Sequence, residues 1–399
     1  MTPEVKDRIA QIQHGIVPKG YRKTKAGIVP SDWFECTIAD CLERVERPVE
    51  VKADEMYTQI GIRSHGKGLF YKEPVRGEEL GNKAVFWIEP DCFVLNIVFA
   101  WEQAIGKTTQ AEVGMIGSHR FPMYRPVDGK IDIDYLISYL MTKRGKDILE
   151  AASPGGAGRN RTLGQDRFMN SKIVLPTPAE QKKIAEILTT QDKVIELKEK
   201  LLAEKQRQKK HLAQRVFENA KKTVALSEIA DITMGQSPSS RSYNTTLTGV
   251  PLIQGNADIL NRKPLPRMYT SSPTKMCSPG DILLSVRAPV GTVAQSTIGA
   301  CIGRGVCSIR PHSMQGYIYE FLLYYENKWG KVSQGSTFES ISGDDIAKLQ
   351  IPQCNDSEQK TKLLTMADHE IDLLWQNLEQ EKQKKKALMQ LLLTGIVRV

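Results

Sequence analysis

The chain carries an internal repeat, and that constrains its fold more than any other feature. A displacement of 178 residues lays Leu163, Asp166, Phe168, Ile173, Glu180 and Gln181 on Ile341, Asp344, Ile346, Ile351, Glu358 and Gln359. In both copies an apolar, strand-like stretch runs into the dipeptide Glu-Gln, and a helical sequence follows. Earlier in each half the displacement changes, as loop insertions require, but the order of features persists. Ile38-Ala39-Asp40 answers Ile229-Ala230-Asp231, Ile60-Gly61 loosely answers Ile253-Gln254-Gly255, and Phe93 to Asn96 answers Ile282 to Ser285. Two modules therefore share a scaffold and differ in their loops. Two readers of different sequences would look like this, because specificity sits on loops while the scaffold carries folding. A duplication without a binding role is the alternative.

The stretch from Ala179 to Phe217 contains no Gly or Pro and is rich in Lys, Glu, Gln, Ala and Leu, which predicts one long helix. Apolar pairs recur every seven residues at Ile187/Leu188, Val194/Ile195 and Leu201/Leu202, the spacing of a coiled-coil seam. A second copy runs from Ser357 to Leu393, with Leu364, Ile371 and Leu378 seven apart and Ala367 and Leu374 between them. Both copies close on Lys-Lys-x-Leu-x-Gln, at Lys209 to Gln214 and Lys385 to Gln390. Each helix is about 57 Å long at 1.5 Å per residue, more than a small domain needs for its own core. The seam residues Ile187, Leu188, Ile195, Leu202, Leu364, Ile371, Leu374 and Leu378 are expected to pack the helices on each other, antiparallel. Two separate amphipathic helices, each covering its own module, are the other arrangement the pattern allows.

With 399 residues the chain exceeds one ordinary core, so two globular units plus extra helix are expected. A formal charge of +9 points toward a polyanionic partner, since Lys and Arg that neutralise phosphates release condensed counterions. The seven cysteines form no CxxC pair and are odd in number, which favours reduced thiols over a disulfide framework or structural zinc. The N-terminus is charged at Glu4, Lys6, Asp7 and Arg8 and lacks the apolar run of a signal peptide. No stretch of about 18 consecutive apolar residues suits a membrane span. A cytoplasmic protein without a membrane partner is the expectation.

Catalytic signatures are absent from the sequence. There is no GxxxxGK[ST] phosphate loop, no HExxH, no GxSxG and no [DNS]PP[YFW] tetrapeptide of an amino-methyltransferase. The six histidines are scattered, and none stands at metal-ligand spacing. No catalytic and no metal-ligating residue is therefore expected in this chain. DNA-contact candidates gather instead on basic, glycine-containing loops. Arg63, Lys67, Tyr71 and Lys72 lie in one such segment, where cations and aromatics can reach phosphates and base edges. Gln254, Asn256, Arg262 and Lys263 hold the corresponding position in the other half, and Gln or Asn can pair with adenine and Arg with guanine. The strongest candidate is Ser153-Pro-Gly-Gly-Ala-Gly-Arg159-Asn160-Arg161, whose glycines let backbone approach a phosphate that the Arg-Asn-Arg triplet faces. It aligns with Gln334-Gly335-Ser336-Thr337, which adds Ser336 and Thr337; Arg287 and Arg304 complete the set. For each loop a plain structural turn is the competing reading.

Four segments carry a family resemblance: Gly20 to Trp33, Ile173 to Leu188, Gly280 to Gly291, and the ending Leu391 to Val399. On these the whole chain resembles the specificity subunit of type I restriction-modification systems. The second helix start departs from the family's Pro-rich run, reading Ile351-Pro-Gln-Cys-Asn-Asp-Ser-Glu-Gln359. The resemblance implies an α+β fold class, with two similar α/β target recognition domains separated by two long helices that pair as an antiparallel coiled coil. The implied boundaries are an N-terminal segment over 1–21, recognition domains over 22–176 and 220–353, a central helix over 177–219, and a C-terminal helix and tail over 354–399. Each domain would read one half of a split, asymmetric site in double-stranded DNA. The helices would set the spacer and dock two methyltransferase subunits, which restriction subunits then join. S-adenosylmethionine, ATP and magnesium are expected on those partners and no cofactor on this chain. An interaction scaffold that does not touch DNA and a stand-alone modification enzyme are the rival functions, the second disfavoured by the missing cofactor motifs.

Overall fold

The helix-forming composition produces the two longest elements of the computed structural model, which describes residues 2–24, 27–81, 84–127, 129–155, 161–329 and 340–399. A central helix spans Pro178–Glu218 and a C-terminal helix spans Ser357–Leu392. Proline at the first position of the central helix lacks only a donor that would be unpartnered there in any case. The chain forms two compact units, and each takes part of both helices: unit 1 comprises residues 1–197 and 378–399, unit 2 residues 198–377. This differs from a reading of five consecutive segments. The N-terminal segment over 1–21 is not set apart, because Arg8 donates to the Ile396 carbonyl and Tyr21 Oη to the Gly395 carbonyl, 2.6 and 2.7 Å away.

The sheet at the centre of unit 1 is four-stranded and antiparallel, in the order Ile105–Lys107, Phe93–Leu95, Met123–Pro126, Leu42–Val45. Unit 2 builds the same sheet from Val293–Gln295, Ile282–Ser285, Val306–Pro311 and Ala230–Met234. In both, the first strand in the chain pairs with the fourth, the fourth with the second and the second with the third. The repeat seen by self-comparison is thus a repeat of topology. Each unit also closes in the same way. Phe34–Thr37 pairs with Lys172–Leu175 just before the central helix, and Thr223–Ala225 pairs with Gln350–Pro352 just before the C-terminal helix.

Each core is completed by the start of one long helix and the end of the other. In unit 1, Ile184, Ala185 and Leu188 of the central helix join Leu392 and Leu393 in a cluster with Phe93, Tyr135 and Phe168. In unit 2, Leu364 of the C-terminal helix joins Ala213, Val216 and Phe217 against Tyr317 and Phe321. The Phe217 ring meets both of those rings edge-on, with centroids 5.3 Å apart. Within unit 1, Gln191 bonds Glu381 and Lys385 pairs with Asp192; within unit 2, Lys205 pairs with Glu370 and Lys209 with Asp368. In unit 2 the partner numbers fall as the helix numbers rise, and in unit 1 the start of the central helix, at Ile184 and Leu188, shares a cluster with the end of the C-terminal helix, at Leu388 and Leu392, so the helices run antiparallel in each unit. Of the predicted seam, Leu188, Leu364 and Leu378 are buried, and Ile187, Ile195, Leu202, Ile371 and Leu374 are half-buried. Among the described residues no helix is long and apolar enough to cross a membrane.

Candidate nucleic-acid interface

At one end of each central sheet, three segments meet through an identical chain of backbone hydrogen bonds. In unit 1 the Leu163 N–H donates to the Ile97 carbonyl, the Ile97 N–H to the Arg120 carbonyl, and the Phe121 N–H to the Ser118 carbonyl. In unit 2 the Ile341 N–H donates to Val286, the Val286 N–H to Gly305, and the Val306 N–H to Gly303. Ile97 and Val286 each follow the second strand of the sheet, and Leu163 and Ile341 are the residues the repeat already aligns. The turns Ser118–Phe121 and Gly303–Val306 are therefore equivalent.

A fourth segment abuts each turn, and here the units diverge. Gln59 bridges Ile116 in parallel, as Leu252 pairs in parallel with Cys301, which makes Gly61 the counterpart of Gln254. A Cβ on Gly61 would lie 2.2 Å from the Phe70 ring, so that ring occupies the place where unit 2 carries the exposed Gln254 side chain. Conversely, a Cβ on Gly305 would lie 2.3 Å from the Gln254 carbonyl oxygen, whereas its counterpart in unit 1 is Arg120. A neighbouring group thus blocks a side chain at one of these two places in each unit, the Phe70 ring at Gly61 and the Gln254 carbonyl at Gly305, and the blocked place is exchanged.

The sequence-predicted residues divide around this ladder. Gln254, Arg287 and Arg304 lie on it: the Arg304 N–H donates to Ser237 Oγ, and Arg287 forms a bridge with Ser340. All three side chains are exposed and have no hydrogen-bond or ion-pair partner among the described residues. Arg161 stands two residues before Leu163 with its guanidinium over the Trp101 ring, 5.3 Å from the centroid, a cation–π contact that leaves its charge available. Lys67 and Lys72 are exposed on the hairpin Ile60–Ile62/Leu69–Tyr71. That hairpin is held to the Ala100–Gln103 turn by the His65 and Gly66 N–H groups, which donate to Glu102 and Gln103.

Other candidates have local tasks. Arg63 donates to the Leu69 carbonyl at 2.6 Å and lies over Phe70, stiffening its own hairpin. Tyr71 donates its hydroxyl to the buried Glu112 carboxylate, and that bond holds the phenol above its usual pKa. Burial alone would push the Glu112 carboxyl up, but Tyr71 and Thr109 outweigh it and bring it below the usual range. Arg262 departs most from expectation. It grips Glu326 with both terminal nitrogens and donates to the Val293 carbonyl, so it anchors its two-residue turn to an edge strand instead of presenting a free charge on the ladder. Lys263 follows it on that hairpin, exposed, and Asn256 sits half-buried on the short turn Asn256–Asp258. Arg159, Asn160, Ser336 and Thr337 lie outside the described residues. Among the described residues no three His, Cys, Asp or Glu side chains are grouped to hold a metal ion.

A family model described as the type I restriction modification DNA specificity domain matches residues 91–205 and 218–384, more than half of the chain and one match per unit. The chain belongs to that specificity-subunit family. It is 30% identical to the putative type I restriction enzyme MjaX specificity subunit of Methanocaldococcus jannaschii over 96% of this chain and 97% of that one. A chain from a solved structure of complex assembly and conformational transition in the type I R-M system shares the fold, with a TM-score of 0.63 and 23% identity over 92% of this chain and 99% of that one. So does the HsdS subunit of Thermoanaerobacter tengcongensis, with a TM-score of 0.52 and 22% identity over 92% and 98% of the two chains.

The chain is thus a DNA sequence-specificity subunit. For such a protein the sorting of its arginines has a direct meaning. Arg267 and Arg310 are tied to the buried Asp258 and Asp281, as Arg262 is to Glu326, while Arg287 and Arg304 stay uncommitted. Sequence reading could not separate them, because the carboxylate partners of Arg262 and Arg310 lie 64 and 29 residues away. It also passed over the turn Ser118–Phe121, which shares no identical residue with Gly303–Val306.

Proposed function

We propose that each unit of this specificity subunit reads one half of a bipartite, asymmetric site in double-stranded DNA, with the ladder segments entering a groove. The exchange between Gly61/Arg120 and Gln254/Gly305 carries this reading, since one backbone frame presents different donors and acceptors in the two units. Base edges in the major groove are discriminated by such side chains, and phosphate contacts fix the register.

The two long helices, each contributing to both units, set the spacer between the half-sites and dock two methyltransferase subunits, which restriction subunits join. An open groove of about 960 Å³ in unit 2, lined by Met314, Thr361, Met366, His369 and Leu373, supports a protein partner on the C-terminal helix. Met366 and Leu373 are 61% and 52% exposed there, unusual for apolar side chains without a partner. The subunit itself is non-catalytic and cytoplasmic. S-adenosylmethionine, ATP and magnesium serve the partner subunits, and none of them is assigned to a residue of this chain.

Selection from a random duplex library by the complex of this chain with its methyltransferase subunit tests the reading. Two different enriched blocks at a fixed unread spacing are expected. Salt-sensitive binding without any enriched block would point to a scaffold that holds DNA without reading it.

A further inference from the structure

We infer that Arg120 is a half-site-selecting residue of unit 1 and the functional counterpart of Arg304 in unit 2. The inference rests on the DNA-reading function proposed above and identifies a reading residue for the first half-site.

Three observations converge on Arg120. Its carbonyl accepts from Ile97, as that of Gly305 accepts from Val286, so Arg120 occupies the rung of the ladder next to the one bearing Arg304. The one-residue displacement has a steric cause. A Cβ at Gly305 would meet the Gln254 carbonyl oxygen at 2.3 Å, so unit 2 can carry its cation only one position earlier. In unit 1 the Arg120 position bears a side chain, and that side chain is exposed.

The charge of Arg120 is also uncommitted. Arginines on or just after the sheet strands of unit 1 are engaged: Arg44 with Glu46, Arg47 with Glu89, and Arg125 more loosely with Glu89 at 3.9 Å. The Arg120 backbone N–H donates to Ser118 Oγ, fixing the turn, while its guanidinium has no ion-pair or hydrogen-bond partner among the described residues.

The ladder, finally, places Arg120 beside Ile97, four residues before Trp101, and Ile97 in turn beside Leu163, two residues after Arg161. Unit 1 therefore bears two cations on this ladder, Arg120 and Arg161, as unit 2 bears Arg287 and Arg304. A guanidinium held on a fixed turn suits the paired acceptors of a guanine edge, which an ammonium matches only as a point charge.

Duplex selection with the chain–methyltransferase complex, run on wild type, Arg120→Ala, Arg120→Lys and Arg304→Ala, tests this. Arg120→Ala is expected to relax one block by about ten-fold or more at one or two positions while the other block stays as in wild type. Arg304→Ala should do the reverse, and Arg120→Lys should relax the same positions as Arg120→Ala. The block that each variant preserves shows that the variant is folded. A wild type with two blocks and an Arg120→Ala variant that keeps both within two-fold, or that loses affinity equally for all sequences, overturns the inference alone. An Arg120→Lys variant matching wild type also overturns it, since charge without the planar fork would then suffice. A wild type that enriches no block overturns the reading function and this inference together.

Discussion

The two units agree in backbone and disagree in the side chains that backbone can present. Both form the same four-stranded sheet, the same closing strand pair and the same hydrogen-bonded ladder. Yet unit 1 fills the Gly61 position with the Phe70 ring and shows Arg120, whereas unit 2 shows Gln254 and must keep Gly305 bare. The frame is therefore fixed by packing, and specificity is varied by exchanging which of two adjoining positions has room for a side chain. A duplicated scaffold can diverge in this way without new elements, because the cost falls on local steric fit and spares the core.

The largest effects should come from breaking what the units share. Leu188→Ala and Leu364→Ala each empty a fully buried site where a long helix enters a core, and each should cost about 2–5 kcal/mol in denaturant unfolding. A loss confined to one variant would show that the helices do not complete the two cores alike. Smaller losses, about 1–3 kcal/mol, are expected for Gly61→Ala and Gly305→Ala, which overpack the exchanged positions. The two should differ in rescue. Phe70→Leu relieves Gly61→Ala because the obstacle is a side chain, while Gln254→Ala leaves Gly305→Ala unrelieved because the obstacle is a backbone carbonyl. Rescue of both would remove the steric basis of the exchange.

Next in size are salt effects on DNA binding. Arg287→Ala should lower the slope of log affinity against log salt by about one, and Arg262→Ala should leave it nearly unchanged because Glu326 already neutralises that charge. Equal slopes for the two variants would contradict the division of arginines into anchors and free DNA contacts.

The smallest effects concern pH. Burial would raise the Asp281 carboxyl, but Arg310, the Ser278 N–H and the Ser308 hydroxyl outweigh it and hold it below the usual range. Its stabilisation is present above about pH 3.9 and is lost as pH falls through the lower folded value. Glu320 has the opposite sign: burial raises it, against the pull of Lys209. Its contribution is complete below about pH 4.3 and is lost as pH rises through the higher folded value. Unfolding curves of Asp281→Asn and Glu320→Gln, taken from about pH 2 to about pH 7, should therefore diverge from wild type in opposite directions. Parallel curves would show that neither group is perturbed.

Much of this architecture was legible in the sequence because it rests on local signals. The Gly- and Pro-free runs gave both helices, and the aligned pair Leu163 and Ile341 marked the outer rung of both ladders. What stayed hidden depends on distant partners. Arg8 meets Ile396 across 388 residues, so the N-terminal segment belongs to the same unit as the C-terminal tail, and no periodicity announces that contact. Arg262 reads as a free cation until Glu326 is placed beside it. The Gly61 and Gln254 exchange was equally invisible, because a glycine in a strand does not reveal which ring covers it.

The central question is whether two different readers sit on one frame. Genome-wide mapping of modified adenines in cells with and without this gene measures that most directly. If two different readers do sit on one frame, the marks depend on the gene and define two dissimilar half-sites at one fixed separation. A single continuous motif, two identical half-sites, or marks that persist without the gene would contradict it.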